Sequence, residues 1–174
     1  TTTCQTIDHI LVDTGSTGLR IVAEALAPAM LSLPPALTAA GDPMYECLVF
    51  ADGYAWGSVR RADVQLADGK AGSLAVQLIG DPASPAAPID CTGPLPGLAS
   101  QNTVAAIGAN GILGISVFLQ DCGQGCTIVA NPSGQGFYYG CPANGCVGVT
   151  VTLAEQLQNP VSQFGANNNG VSVV

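Results

Sequence analysis

Asp13-Thr14-Gly15-Ser16 directly follows the apolar run Ile10-Leu11-Val12. A carboxylate at the end of a buried strand, carried on a Thr-Gly-Ser turn, is placed for acid–base chemistry. The glycine permits a tight turn with close backbone approach. Hydroxyls from Thr14 and Ser16 can donate to the carboxylate, which favours its ionised form and fixes its orientation. Two such carboxylates sharing one proton activate a water for attack on an amide carbonyl. This chain holds one such loop, since no other Asp precedes a Thr-Gly or Ser-Gly pair. A plain turn aspartate, capping backbone amides, is the simpler use of the same residues.

The elements that must position this loop read as short strands. Residues 6–12 form a strand running into Asp13, and Gly18-Leu19-Arg20-Ile21-Val22 returns the chain to extended structure. Prolines at 28, 34 and 35 reduce the segment 23–40 to a turn of helix and irregular loop. Residues 46–50 and 57–66 predict a hairpin around Ala51-Asp52-Gly53-Tyr54-Ala55-Trp56, with Asp52-Gly53 as the turn signal and Trp56 near its tip. Ala67-Asp68-Gly69-Lys70 is a second turn, leading into a strand over 73–79. Five prolines mark 81–103 as a long surface loop pinned at Cys91. Asn110-Gly111-Ile112-Leu113-Gly114-Ile115 predicts a short apolar strand, and residues 121–148 form a Gly- and Cys-rich stretch. Thr152 and Glu155 fit a capping box for a short helix to about Gln158, stopped by Asn159-Pro160. Asn167-Asn168-Asn169-Gly170 turns into a last strand over 171–174. The pattern is mostly β, in one domain over 1–174.

Composition narrows the function. Twelve acidic and four basic residues give a net charge of −8, which argues against nucleic-acid binding. The one basic pair, Arg60-Arg61, reads as a solvated strand edge. No apolar run approaches a membrane span, so none is expected. The N-terminal residues lack the regions of a signal peptide, so a cleaved leader is the expectation. His9, the lone histidine, reads as a strand residue, and Ser16 lies in no nucleophile elbow.

Seven cysteines in a chain with few charges point to a disulfide framework in an oxidising compartment: secreted, periplasmic or cell-surface. The disulfide candidates are Cys47, Cys91, Cys122, Cys126, Cys141 and Cys146. Short loops favour Cys122 with Cys126 and Cys141 with Cys146, and a crossed pairing of these four stays open. One cysteine is left over. Spacings of three, fourteen and four residues match no common zinc ribbon, so no metal is assigned.

Taken in order, these features resemble the N-terminal lobe of pepsin-like aspartic peptidases. Ile10 to Arg20 is similar to that family's first active-site loop and the strand leaving it. The hairpin Phe50-Ala51-Asp52-Gly53-Tyr54-Ala55-Trp56-Gly57 stands where the family's flap closes over substrate. Asn110 to Ile115 resembles the Asp-Gly-Ile-Leu-Gly-Leu segment packed behind the catalytic loop. More narrowly, the chain looks like an uncharacterised bacterial family of pepsin-like proteins with the same Thr-Gly-Leu-Arg continuation and cysteine-rich inserts.

The resemblance implies a single pepsin-like lobe with one or two short helices, and Asp13 as a catalytic carboxylate supported by Thr14, Gly15 and Ser16. Phe50, Asp52, Tyr54 and Trp56 become candidates for the flap and substrate contact. Phe50 stands where the family carries a tyrosine, and Asn110 replaces its aspartate. The family's second lobe, with its own Asp loop, is missing from this sequence. The expected function is therefore one lobe of a bilobal aspartic endopeptidase, inactive alone, with a second lobe or another copy as partner and a peptide as substrate. No cofactor is implied. The alternative is a non-catalytic secreted binding or self-assembling protein on the same scaffold.

Overall fold

Nine strands form in the computed structural model, which describes residues 3–92, 98–130 and 137–170. They are β1 (Ile10–Asp13), β2 (Thr17–Val22), β3 (Met44–Val49), β4 (Gly53–Leu66), β5 (Gly69–Ile79), β6 (Ala99–Ser100), β7 (Gly111–Ile115), β8 (Tyr138–Gly140) and β9 (Val147–Gly148). All belong to one mixed sheet in the order β1-β7-β2-β5-β4-β3-β8-β9, with β6 alongside β4. The helices are single turns, such as Ile89–Thr92, Val104–Ile107 and Gly125–Ile128.

The long β4–β5 hairpin is the spine. It turns at Ala67-Asp68, as the sequence predicts, with Ala67 at φ 49°. Gly57 in β4 shows why the hairpin needs a glycine there. A Cβ at that position would lie 1.8 Å from the Leu78 carbonyl oxygen, well inside contact distance. β2, wedged between β7 and β5, is buried along all six residues. One core cluster joins Leu19 and Ile21 of β2 to Leu74, Val76 and Leu78 of β5. A second gathers Met44, Val59, Tyr138 and Leu157. A third surrounds Trp56 with Tyr45, Tyr139 and the cystine of Cys47 and Cys91.

Three disulfides close the chain: Cys47–Cys91, Cys122–Cys126 and Cys141–Cys146. The two short loops pair as their spacing suggests, and Cys4 is the free, exposed cysteine. Among the described residues no helix is long and apolar enough to cross a membrane.

Several expectations need correction. The first strand begins at Ile10 rather than Thr6 and is an edge strand, not a buried one. Leu11 and Val12 are 49% and 53% exposed because among the described strands β1 pairs with β7 alone. The first hairpin turns at 50–53, where the Phe50 amide donates to the Gly53 carbonyl, so Tyr54 and Trp56 lie within β4 rather than at a tip. Residues 152–155 form half of a capping box: the Thr152 amide donates to Glu155 Oε2 at 2.7 Å, while the Thr152 hydroxyl donates to the same oxygen at 2.8 Å and the Glu155 amide goes to the Thr152 carbonyl. No helix follows them, because Leu157 turns its amide to the Tyr138 hydroxyl and its carbonyl to the Asp121 amide. The Arg60 side chain is 15% exposed and bonds Asp81 at 2.9 Å, so it is not a solvated edge residue. The last strand expected over 171–174 lies outside the described residues, as do Pro94 and Pro96 of the 81–103 loop.

Candidate functional site

β1 and β2 are consecutive in the chain, yet they do not pair with each other. β7 runs between them, parallel to β1 and antiparallel to β2. Loop 13–16 must therefore bridge over the end of β7, and glycine makes this possible. A Cβ on Gly114 would meet the Thr17 nitrogen at 2.7 Å and the Ser16 carbonyl carbon at 2.8 Å. Contacts there fix the loop: the Ser116 amide donates to the Ser16 carbonyl at 2.9 Å, and Thr17 Oγ1 lies 2.5 Å from Ser116 Oγ.

Asp13 ends β1 opposite Gly114, half-buried. The Gly15 amide donates to its Oδ1 at 2.8 Å, which orients the carboxylate. The flanking hydroxyls do not act as the sequence suggests. Thr14 is exposed, and Ser16 Oγ is buried with no hydrogen-bond partner among the described residues. Beside the loop opens a groove of about 450 Å³, lined by Thr14, Ile115, Val117, Phe118, Asn159 and Val161 among others. Its apolar rim is unusually open: Val117, Phe118 and Leu119 are 94%, 68% and 59% exposed.

The flap candidates separate from one another. Trp56 is buried, stacked on Tyr45 at 5.5 Å and edge-on to Tyr139 at 5.3 Å, and its indole N–H donates to the Pro85 carbonyl. Tyr54 packs against the same cluster. Phe50 faces the opposite way, against Leu48, Ala55 and Ile79, while Asp52 is exposed in the turn. In sheet order β7, β2 and β5 stand between β1 and β4.

A second group of residues was not anticipated. Arg20, fully buried in β2, donates through Nη2 to Glu46 Oε1 at 2.5 Å and to Asp121 Oδ2 at 3.1 Å. Its Nη1 donates to the Thr17 carbonyl at 2.6 Å. The Tyr138 hydroxyl donates to Asp121 at 2.8 Å and accepts from the Leu157 amide at 2.7 Å. Burial, then the Glu46 charge, pushes the Asp121 carboxyl well above the usual carboxylate range. Burial and the nearby carboxylates likewise push the Tyr138 hydroxyl up. Arg20 thus reaches from the core to the residue that follows loop 13–16. The sequence held one signal for it, an arginine inside an otherwise apolar strand, Leu19-Arg20-Ile21-Val22.

Over its full length, residues 1–174, the chain matches the family described as Protein of unknown function (DUF3443). It belongs to that family. No curated protein and no solved structure matches it. Among its described residues no group of three or more His, Cys, Asp and Glu side chains is arranged to hold a metal ion. Asp13 is a half-buried carboxylate held by the Gly15 amide, and its neighbour Thr14 lines the groove.

Proposed function

We propose that this chain is one pepsin-like lobe of a bilobal aspartic endopeptidase, with Asp13 as one carboxylate of its catalytic dyad. The observation that carries the reading is the Asp13 turn itself: a carboxylate at a strand end, held by the Gly15 amide, on a loop bridging over β7 beside a groove. The second carboxylate would come from another lobe or another copy of the chain. One member of such a dyad takes a proton from the bridging water while the other, protonated, polarises the scissile carbonyl. Two carboxylates that close do not ionise together easily, so the dyad titrates as a coupled pair. Thr14 would face the substrate side of the loop, and the exposed residues 117–119 would meet either the peptide or the second lobe. The three disulfides support a secreted, periplasmic or cell-surface location.

One observation favours a second reading, a non-catalytic binding protein on the same scaffold. Tyr54 and Trp56 pack around the Cys47–Cys91 disulfide, and Phe50 has no hydroxyl, so the hairpin offers no free flap tyrosine. The two readings are separated by assaying the natural full-length protein against a denatured protein substrate at roughly pH 3–5, where a dyad holds one proton. Cleavage supports the peptidase. A folded full-length protein that carries a second Asp loop and still cleaves nothing supports the binding reading.

A further inference from the structure

Arg20, Glu46 and Asp121 place two carboxylates against one guanidinium where no solvent reaches. Their side chains are 0%, 0% and 2% exposed. Fully ionised, the group would carry one uncompensated negative charge in the core, which burial strongly disfavours. The remaining neighbours do not supply a second cation. Tyr138 gives Asp121 a neutral hydroxyl, and Gln77, the register partner of Arg20, spends its amide on the Glu46 carbonyl. Gln156 is buried and bonded to the Gly123 backbone. Glu46 and Asp121 both accept from the same nitrogen, Arg20 Nη2, and Glu46 Oε2 has no donor among the described residues. A proton on one of the two carboxyl groups removes the excess negative charge and leaves a single carboxylate for the guanidinium.

We propose that the buried Glu46–Asp121 pair retains one proton in the folded protein at neutral pH, so that its contribution to stability weakens as pH rises. This inference rests on the buried cluster and is independent of the peptidase reading. Its sign follows from linkage. Above about pH 4 an ordinary unfolded carboxyl has released its proton. The native state still holds one, so stability falls as pH rises, by up to about tenfold in the folding constant per pH unit, until the pair ionises.

The test is urea unfolding of the wild type, Glu46→Gln and Asp121→Asn between about pH 5 and pH 8. Either amide stands in for the protonated acid and leaves one carboxylate for Arg20. The wild type should lose stability with rising pH relative to both variants, and the variants' profiles should be flatter. Parallel profiles for wild type and variants would overturn the proposal. Should neither variant fold, infrared spectroscopy of the native wild type at neutral pH decides: a protonated carboxylic acid band is expected, and its absence overturns the inference.

Discussion

Thr17 Oγ1 lies 2.5 Å from Ser116 Oγ, joining the residue after the Asp13 turn to the residue after β7 across a separation of 99 positions. This bond holds the bridging loop down on the strand it crosses. Thr17→Val removes one partner while keeping the branched shape, and it leaves the Ser116 hydroxyl with the Phe118 amide, which donates to it at 3.2 Å. A loss of about 0.5–1.5 kcal/mol is expected in urea unfolding. Adding Ser116→Ala should cost less than the sum of the two single variants, since the Thr17–Ser116 bond is lost once and the exposed Phe118 amide turns to water. A purely additive double variant would mean the pair does not couple.

Arg20→Met should be far more costly. It strips the counter-charge from Glu46 and Asp121 and the donor from the Thr17 carbonyl. Breaking a buried ion pair from one side typically costs about 3–5 kcal/mol, comparable to the whole stability of a marginal domain. Arg20→Lys should not restore it, because one ammonium cannot reproduce the guanidinium fork. Circular dichroism and soluble yield report the outcome, and a stable, fully folded Arg20→Met protein would contradict it.

How much of this was legible in the sequence depended on whether a feature is local. The Asp13 turn, the Gly111–Ile115 strand, the Ala67-Asp68 turn and the two short disulfides could be read because glycine, spacing and apolar runs act over a few residues. The burial of Arg20 could not, because its partners lie 26 and 101 positions away. The edge position of β1 was hidden for a related reason. Three apolar residues read as a buried strand whether or not a second neighbour covers them, and here none of the described strands does. Trp56 falls inside a strand because the turn closes at Asp52-Gly53 and the returning strand starts at Gly53, four residues before the expected 57. In the Asp13 turn the Gly15 amide bond to the carboxylate follows from the sequence, whereas the donor roles it suggests for Thr14 and Ser16 do not hold: Thr14 is exposed and Ser16 Oγ has no partner among the described residues.

The cysteines predict a count. Native protein unfolded without reductant should show one free thiol, that of Cys4, out of seven. The Cys47–Cys91 bridge spans 44 positions, so replacing both cysteines with alanine should cost about 2–4 kcal/mol. It should also loosen the packing around Trp56, seen as a shift in its fluorescence. Three or more free thiols in the native protein would contradict the assigned pairing.

Asp81 sets a limit on the acid side. Burial pushes its carboxyl up, but the Ser58 hydroxyl, the Ala83 amide and Arg60 outweigh that and hold it below the usual range. A carboxyl depressed in the folded state adds stability above its unfolded value, near pH 4. That stability is lost as pH falls through the folded value. Asp81→Asn should therefore lower stability at neutral pH and narrow the difference from wild type below about pH 4. A difference that stays constant from neutral to acid pH would show that the Asp81 charge contributes nothing.

The central claim turns on Asp13. Its direct test is kcat/KM of the natural full-length protein and of its Asp13→Asn variant on one peptide substrate at acid pH, with unfolding curves for both. Asparagine keeps the volume and removes the exchangeable charge. Activity should fall by about 10²–10⁴-fold, the share acid–base catalysis usually supplies, while stability stays nearly unchanged. Cleavage by Asp13→Asn at the wild-type rate would contradict the assignment of Asp13 as a catalytic carboxylate.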